Sequence, residues 1–173
     1  QQEYCYGTVP RAAQESVQRM TTFTVRIGSL DPGQTTGLAI ADVHVTPEKV
    51  ILVKVKLGSY PNAHGAARQI IRSDCHSVVI ERMPENASLL GREPYEAAVS
   101  MLTMELFEIQ KSFVFQTGAL ILVTPGLWKP VMKAQHITEH GNWEPMTQHE
   151  KDALALLHYV VKLNHMSKDI EYG

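Results

Sequence analysis

The chain has 173 residues, of which 44% are hydrophobic and 20% charged, and its formal net charge is −2. This length suits a single domain with a sizeable core, and the composition excludes wholesale disorder. No apolar run approaches the roughly 18–20 residues that span a bilayer, and neither Cys5 nor Cys75 has the spacing of a zinc ligand. We therefore expect a cytoplasmic protein without a membrane contact or a disulfide framework. The net charge neither supports nor excludes a nucleic-acid partner.

The N-terminal third predicts an extension followed by three strands. Residues 1–19 have no clear periodicity, and we expect them to be an extension of unknown role that precedes a domain of residues 20–173. Three segments rich in β-branched residues follow, at Phe23–Asp31, Gly37–His44 and Lys49–Leu57. Turn residues separate them, so they predict an antiparallel meander.

The middle of the chain alternates helices and a strand. Asn62 is a predicted N-cap for a short amphipathic helix, and Ser77–Glu81 is a fully apolar strand that ends in a carboxylate. A loop from Arg82 to Glu93 leads to a long helix at about Pro94–Phe113. The apolar residues of that helix cover more than one stripe. One side can pack on the sheet, and the other is a candidate homodimer seam.

The C-terminal part adds a strand at Ala119–Val123, a short helix at Gly126–Lys133, a polar loop at 134–146 and a last helix from Thr147 to about Leu163. The predicted order is β-β-β-α-β-α-β-α-α. It indicates an α/β fold with a five-stranded mixed sheet, whose first three strands form the antiparallel meander, flanked by helices on both faces. This layout resembles an RNase H-like domain.

Four polar residues are the candidate active site. Asp31 and Glu81 each end an apolar strand, while His149 and Asp152 stand three apart at the start of the last helix. Strand and helix ends of this kind meet at one rim of a sheet. Three carboxylates gathered there repel one another unless cations neutralise them, so the set predicts a divalent-metal site.

Each of these blocks also has a structural interpretation. Asp31-Pro-Gly-Gln-Thr-Thr-Gly37 is typical of a turn, and it is also similar to the phosphate-binding hairpin of sugar kinases and actin-like ATPases. Glu81 can be a strand-exit residue paired with Arg82. His149 can be a satisfied core histidine, and Thr147 with Glu150 forms a capping-box pattern. The functional interpretation depends on all four polar residues meeting.

Basic residues near these blocks are candidate DNA contacts. Lys129 and Lys133 lie one turn apart after Pro125, and Arg82 and Arg92 bracket the loop after Glu81. Such residues can neutralise phosphates, although lysines and arginines in loops are usually only solvated. Leu89 and Leu90 in the same loop are candidates to cover a neighbouring chain or to wedge against bases. Asp42 is interpreted as a surface acid.

The ordered blocks resemble the RuvC-type Holliday junction resolvases, particularly the divergent versions found in bacteriophages. The matching blocks are Leu30-Asp31-Pro32-Gly33 with Gly37, Val79-Ile80-Glu81, Pro125-x-x-Trp128-Lys129 and His149-x-x-Asp152-Ala153. They follow the family's order and usual spacings from about Phe23 to Leu163. No single block is specific, and the resemblance depends on the ordered set.

The resemblance implies a dimeric, Mg²⁺-dependent endonuclease that cuts four-way DNA junctions symmetrically, in a bacterial or phage-infected cell. The family's four catalytic positions correspond to Asp31, Glu81, His149 and Asp152, the third being Asp in some members and His in others. Lys129 corresponds to a lysine near the scissile phosphate. The family's glycine-rich, lysine-bearing stretch after that lysine is absent here, which leaves the details of junction binding open.

The predicted chemistry is phosphodiester hydrolysis with two Mg²⁺ ions, for which Mn²⁺ can substitute. Asp31 would bind both ions, and Glu81 and Asp152 one each. His149 would complete a metal shell or orient and deprotonate the water. Three alternatives stay open: another RNase H-like nuclease acting on flaps, forks or RNA–DNA hybrids, a non-catalytic DNA-binding protein, and an actin-like ATP-binding protein. The last is disfavoured because such proteins pair two halves of this fold.

Overall fold

The computed structural model describes residues 22–105, 107–110, 115–133, 147–165 and 168–173. The expected extension at 1–19 and the expected polar loop at 134–146 lie outside the described residues. Within the described part, no helix is long and apolar enough to cross a membrane.

Seven strands of the described part of the chain form one mixed sheet. They are β1 (Phe23–Asp31), β2 (Thr36–Val45), β3 (Lys49–Tyr60), β4 (Ser77–Glu81), β5 (Glu108–Gln110), β6 (Ala119–Val123) and β7 (Asp169–Tyr172). Their order across the sheet is β5-β6-β4-β1-β2-β3-β7. The predicted meander is confirmed, because β1 pairs antiparallel with β2 and β2 with β3. The remaining pairs are parallel, so β4 and β6 end at the same rim as β1 does.

Four helices in the described residues cover the two faces of this sheet. They are α1 (Ala63–Arg72), α2 (Leu89–Met104), α3 (Pro125–Lys133) and α4 (Gln148–Asn164). One core cluster joins the sheet to α1 and α2 through fully buried residues such as Leu30, Ile70 and Leu102. The other cluster joins the opposite face to α3 and α4 through residues such as Ile27 and Leu156. Alternate residues of β1 thus serve opposite cores, as the two-residue period of a strand requires.

Two helix starts follow the capping chemistry in the sequence. The side chain of Asn62 accepts a hydrogen bond from the Gly65 N–H at 2.9 Å, which caps α1 as predicted. Thr147 and Glu150 form the predicted capping box, with the Thr147 N–H donating to Glu150 Oε2 at 2.9 Å. Both helices therefore begin where side chains satisfy backbone N–H groups.

The strand count and one helix differ from the sequence prediction. The sheet has seven strands rather than five, because the short edge strands β5 and β7 extend it. The predicted helix Pro94–Phe113 was wrong in its bounds, since α2 spans Leu89–Met104. Ser88 caps α2 by accepting from the Gly91 N–H, so Pro94 lies inside the helix rather than in its first turn.

Candidate active site

The site is built on a row of residues that crosses the sheet at one rim. Asp31 ends β1 and pairs with Gly37 of β2, and Gly37 pairs with Ser59 of β3. On the other side of Asp31, Glu81 ends β4, one residue beyond the last paired residues of β1 and β4. Two neighbouring parallel strands therefore each bring a carboxylate to adjacent positions of the same rim.

The start of α4 lies directly over this row. A Cβ atom built on Gly37 would be 1.9 Å from the carbonyl oxygen of His149, so only a glycine allows the helix to approach this closely. The Ser59 hydroxyl lies 2.6 Å from the Thr147 hydroxyl, and the Ser29 hydroxyl donates to the Ala153 carbonyl at 2.6 Å. These contacts place His149 and Asp152 above the ends of β1 and β2.

Asp31 and His149 form the first pair of the site. His149 Nδ1 lies 3.2 Å from Asp31 Oδ2. An ionised Asp31 carboxylate can only accept, so Nδ1–H is the donor in that state, and the neutral imidazole in this tautomer has a lone pair on Nε2. The ring also lies against the β1–β2 turn, because a Cβ on Gly33 would be 3.8 Å from His149 Cε1. The side chain of Asp152, one turn further along α4, accepts from Gln148 Nε2 at 2.7 Å.

Glu81 and Lys129 form the second pair. Lys129 Nζ lies 3.1 Å from Glu81 Oε1, and it also lies 5.1 Å from the ring centroid of Trp128. Glu81 does not pair with Arg82, the partner that the structural interpretation suggested. Glu81 is only 4% exposed, and its Oε2 atom has no hydrogen-bond partner. A buried carboxylate oxygen without a partner is costly unless a ligand or ion satisfies it.

Burial raises the pKa values of both strand-end acids. For Asp31, the hydrogen bond with His149 opposes this effect, the nearby Asp152 carboxylate adds to it, and Lys129 lowers the pKa again. For Glu81, the charge of Asp31 raises the pKa further, while Lys129 and, less strongly, Trp128 lower it. The indole N–H of Trp128 is near enough to Glu81 to have this effect, but it does not form a hydrogen bond. The charge of Asp152 thus acts on Asp31, and the charge of Asp31 acts on Glu81.

The side chains present suit a hard divalent cation in their chemistry. Carboxylate oxygens, with one imidazole, are ligands that Mg²⁺ and Mn²⁺ accept, and Glu81 Oε2 is a buried oxygen without a partner. No group of three or more His, Cys, Asp or Glu side chains in the described residues is already gathered around one point. Instead, the acids pair with other side chains. Lys129 forms an ion pair with Glu81, and His149 Nδ1 contacts the Asp31 carboxylate.

The other predicted contact residues do not join this cluster. Arg82 lies 3.6 Å from Glu85 and Arg92 2.9 Å from Glu96, both in exposed pairs. Lys133 ends α3, and its side chain lies outside the described residues. The interpretation of Asp42 as a surface acid was wrong. Asp42 is 5% exposed and binds Arg26 at 2.7 Å and Lys54 at 3.3 Å.

Sequence reasoning missed the residues that hold α4 in place. Ser29 and Ser59 are single hydroxyl residues within strands, and nothing in their neighbourhood along the chain distinguishes them from other strand serines. The block that ends in Gly37 was interpreted as a turn or a phosphate-binding hairpin, whereas Gly37 allows the backbone of His149 to approach β2 closely. The sequence signal that could have indicated this close approach is a glycine, Gly37, at the start of the strand that pairs with the one ending in Asp31.

The strand order, the antiparallel first three strands and the helices on both faces define a RuvC/RNase H-like α/β fold, which confirms the predicted fold class. A comparison of the sequence with protein-family models finds no match, and a comparison with curated proteins finds none either.

Solved structures of a bacterial RuvC and of a poxvirus resolvase are similar to this chain. Thermus thermophilus RuvC in complex with a Holliday junction substrate aligns with a TM-score of 0.55 and 15% identity, over 82% of this chain and 96% of that chain. The fowlpox virus resolvase in complex with Holliday junction DNA aligns with a TM-score of 0.50 and 16% identity, over 80% of this chain and 98% of that chain. The likeness covers nearly the whole length of these proteins and shows the fold.

Proposed function

We propose that this protein is a metal-dependent, structure-selective endonuclease that resolves four-way DNA junctions. The observation that carries the proposal is the adjacent placement of Asp31 and Glu81 at one sheet rim, with α4 bringing His149 and Asp152 over it. The likeness to two resolvases whose structures contain Holliday junctions supports junction DNA as the substrate.

Asp31, Glu81, Asp152 and His149 are the residues that would hold two Mg²⁺ ions, with Mn²⁺ as a substitute. Bound ions would stabilise the charge on the attacking and leaving oxygens of the phosphodiester. The unpartnered Oε2 of Glu81 and the mutual repulsion of the acids support this assignment. Lys129 would have to leave Glu81 when a metal ion binds, because its ammonium group pairs with that carboxylate in this structure.

His149 is the candidate general base. Its Nδ1–H donates to Asp31, which fixes the tautomer and leaves Nε2 able to accept a proton from water. His149 is partly exposed, so solvent can reach the ring. The role as a metal ligand uses the same lone pair, and the two roles exclude each other in a single step.

Basic side chains around the rim would contact the DNA backbone. Lys129, once released from Glu81, is within reach of a phosphate at the site. Arg82 and Arg92 are held only by exposed ion pairs, which cost little to break. Each phosphate contact would make binding weaker at higher salt. Lys133 completes the proposed set.

Symmetric cutting of a four-way junction requires two sites, so we propose a homodimer. We assign the seam to α2, and the exposure of Leu89, Leu90 and Met104, at 83%, 69% and 80%, supports this assignment. Exposed leucines of this kind are typical of surfaces that bind a partner.

A panel of labelled substrates tests the proposal and separates it from other nucleases of this fold. The panel contains a four-way junction, a flap, a replication fork, an RNA–DNA hybrid and a linear duplex, each with Mg²⁺ or with EDTA. We expect Mg²⁺-dependent cutting with the junction preferred. Preference for the hybrid or the flap would reassign the substrate, and cutting in EDTA would contradict the metal.

Asp152→Asn tests the site itself. This change keeps the side-chain shape and the acceptor for Gln148, but it removes a charge from the acidic cluster. We expect junction cleavage to fall on the order of 10³-fold or more, with junction binding retained in a gel-shift assay. Retained cleavage would remove Asp152 from the site.

A further inference from the structure

Helix α4 runs along β1 with matched spacings. Asp31 contacts His149, and two residues earlier in the strand Ser29 contacts Ala153, which lies four residues later in the helix. Two strand residues span about 6.8 Å and four helix residues about 6.0 Å, so the two contacts are separated by nearly the same distance along β1 and along α4. Asp152 is therefore fixed between them, next to Ala153, whose carbonyl accepts the hydrogen bond from the Ser29 hydroxyl.

A third contact stops the helix from tilting away from the sheet. The first turn of α4 crosses from β1 to β3, where Ser59 Oγ lies 2.6 Å from Thr147 Oγ1. Between these strands, the carbonyl of His149 rests on Gly37, where any Cβ would collide with it at 1.9 Å. Ser29, Gly37 and Ser59 together form what we call the helix seat.

We propose that the helix seat is a set of positioning residues for the reaction, in addition to the acids and His149. None of the three would touch the DNA or the metal ions. They act through α4, because a change in its tilt moves His149 and Asp152 together relative to Asp31 and Glu81. This inference rests on the proposed function for its kinetic test, and it has a spectroscopic test that does not.

Ser59 is the most informative residue of the seat to change. Its hydroxyl and that of Thr147 are both accessible to water, so their bond contributes little to global stability. In Ser59→Ala we expect an unchanged melting temperature, an unchanged KM for junction DNA and a kcat about five-fold lower. Ser59→Thr retains the hydroxyl and should restore kcat.

Ser77→Ala is the matched control. The Ser77 hydroxyl is fully buried in β4 and donates to the Gln116 carbonyl at 2.8 Å, on a strand of the same sheet but away from the seat. We expect this variant to lower the melting temperature and to keep kcat. Equal losses of kcat in Ser59→Ala and Ser77→Ala would overturn the proposal, because a general loss of packing would then explain both.

Gly37→Ala is the severe variant. The added methyl group must displace the His149 backbone, and a displacement of about 1 Å can cost on the order of 10²-fold in rate. If the clash prevents Gly37→Ala from folding, Ser59→Ala decides the proposal. A folded Gly37→Ala enzyme with the wild-type kcat would overturn it.

The imidazole signals of His149 report the seat without any catalysis. Long-range ¹H–¹⁵N spectra of the intact chain, assigned with His149→Gln, should show the Nδ1–H tautomer in the wild type. In Ser59→Ala we expect these signals to shift toward the averaged values of a freely exposed histidine. Unchanged signals would overturn the seat. If the wild type cuts no DNA, the proposed function fails, while this comparison still decides the inference.

Discussion

Lys129 places a positive charge beside the two strand-end acids. Its Nζ lies 3.1 Å from Glu81 Oε1, and it lowers the pKa values of both Glu81 and Asp31. Without a cation, two buried acids at one rim would be hard to ionise together. The lysine therefore favours the charged state of both acids and opposes the effect of their burial.

Replacing Lys129 by Met separates its pairing with Glu81 from its proposed phosphate contact. We expect the affinity for Mn²⁺ in the absence of DNA to rise about five-fold, because the ion no longer competes with an ion pair worth about 1 kcal/mol. Junction cleavage should nevertheless fall, since the proposed phosphate contact is lost. Titration calorimetry and a cleavage assay measure the two effects. Weaker Mn²⁺ binding in Lys129→Met would contradict the competition.

The pH dependence of stability follows from the raised pKa values of Asp31 and Glu81. A folded-state pKa above the unfolded value means that the folded chain binds more protons. The resulting stabilisation is present below the ordinary values of 3.8 and 4.5 and is lost as pH rises through the folded-state pKa values. In EDTA, Asp31→Asn should remove part of this loss, worth about 1.4 kcal/mol at neutral pH for each unit by which the pKa is raised.

Asp42 provides the control with the opposite sign. Its pKa is lowered, chiefly by the hydrogen bond from Arg26, so its stabilisation is present above the ordinary value of 3.8 and is lost as pH falls. Asp42→Asn should therefore destabilise the protein near neutral pH and flatten the acid side of the profile. Denaturant unfolding across pH 3–8 measures both variants. Parallel profiles for Asp31→Asn and Asp42→Asn would contradict the pKa directions.

At the scale of the elements, the two capped helices offer a paired test. Thr147→Ala removes the cap of α4 and Asn62→Ala that of α1, and each should cost about 1 kcal/mol of unfolding free energy. Only Thr147→Ala should also reduce the cleavage rate, because α4 carries His149 and Asp152. Equal cleavage rates in the two variants, at equal stability, would mean that the cap of α4 does not determine the positions of His149 and Asp152.

The elements that carry the site could be predicted from the sequence, and the contacts between them could not. β1, β4 and α4 have strong apolar patterns and cap residues, so their ends were located at Asp31, Glu81 and Thr147. β5 and β7 have only three and four residues, too few for a period to be recognised. The hydrogen bond from His149 to Asp31 joins residues 118 positions apart, so it depends on tertiary packing rather than on any local pattern.

At the scale of the whole molecule, the expected assembly is a homodimer joined through α2. The double change Leu89→Glu with Leu90→Glu should halve the sedimenting mass, because two charges replace exposed apolar side chains. Leu127→Glu, at a 48% exposed leucine on α3, is the control that should leave the mass unchanged. A dimer that survives the double change but binds junctions less well would assign these leucines to the DNA instead.

Cleavage of a synthetic four-way junction tests the central claim most directly. The junction and a linear duplex of matched sequence, each labelled on every strand in turn, are incubated with the protein in Mg²⁺ or in EDTA. We predict paired nicks at symmetric positions of the junction in Mg²⁺, little cutting of the duplex, and no cutting in EDTA or with Asp31→Asn. An intact junction in Mg²⁺ and in Mn²⁺, or cutting that persists in Asp31→Asn, would contradict the assignment of the rim as a metal-dependent nuclease site.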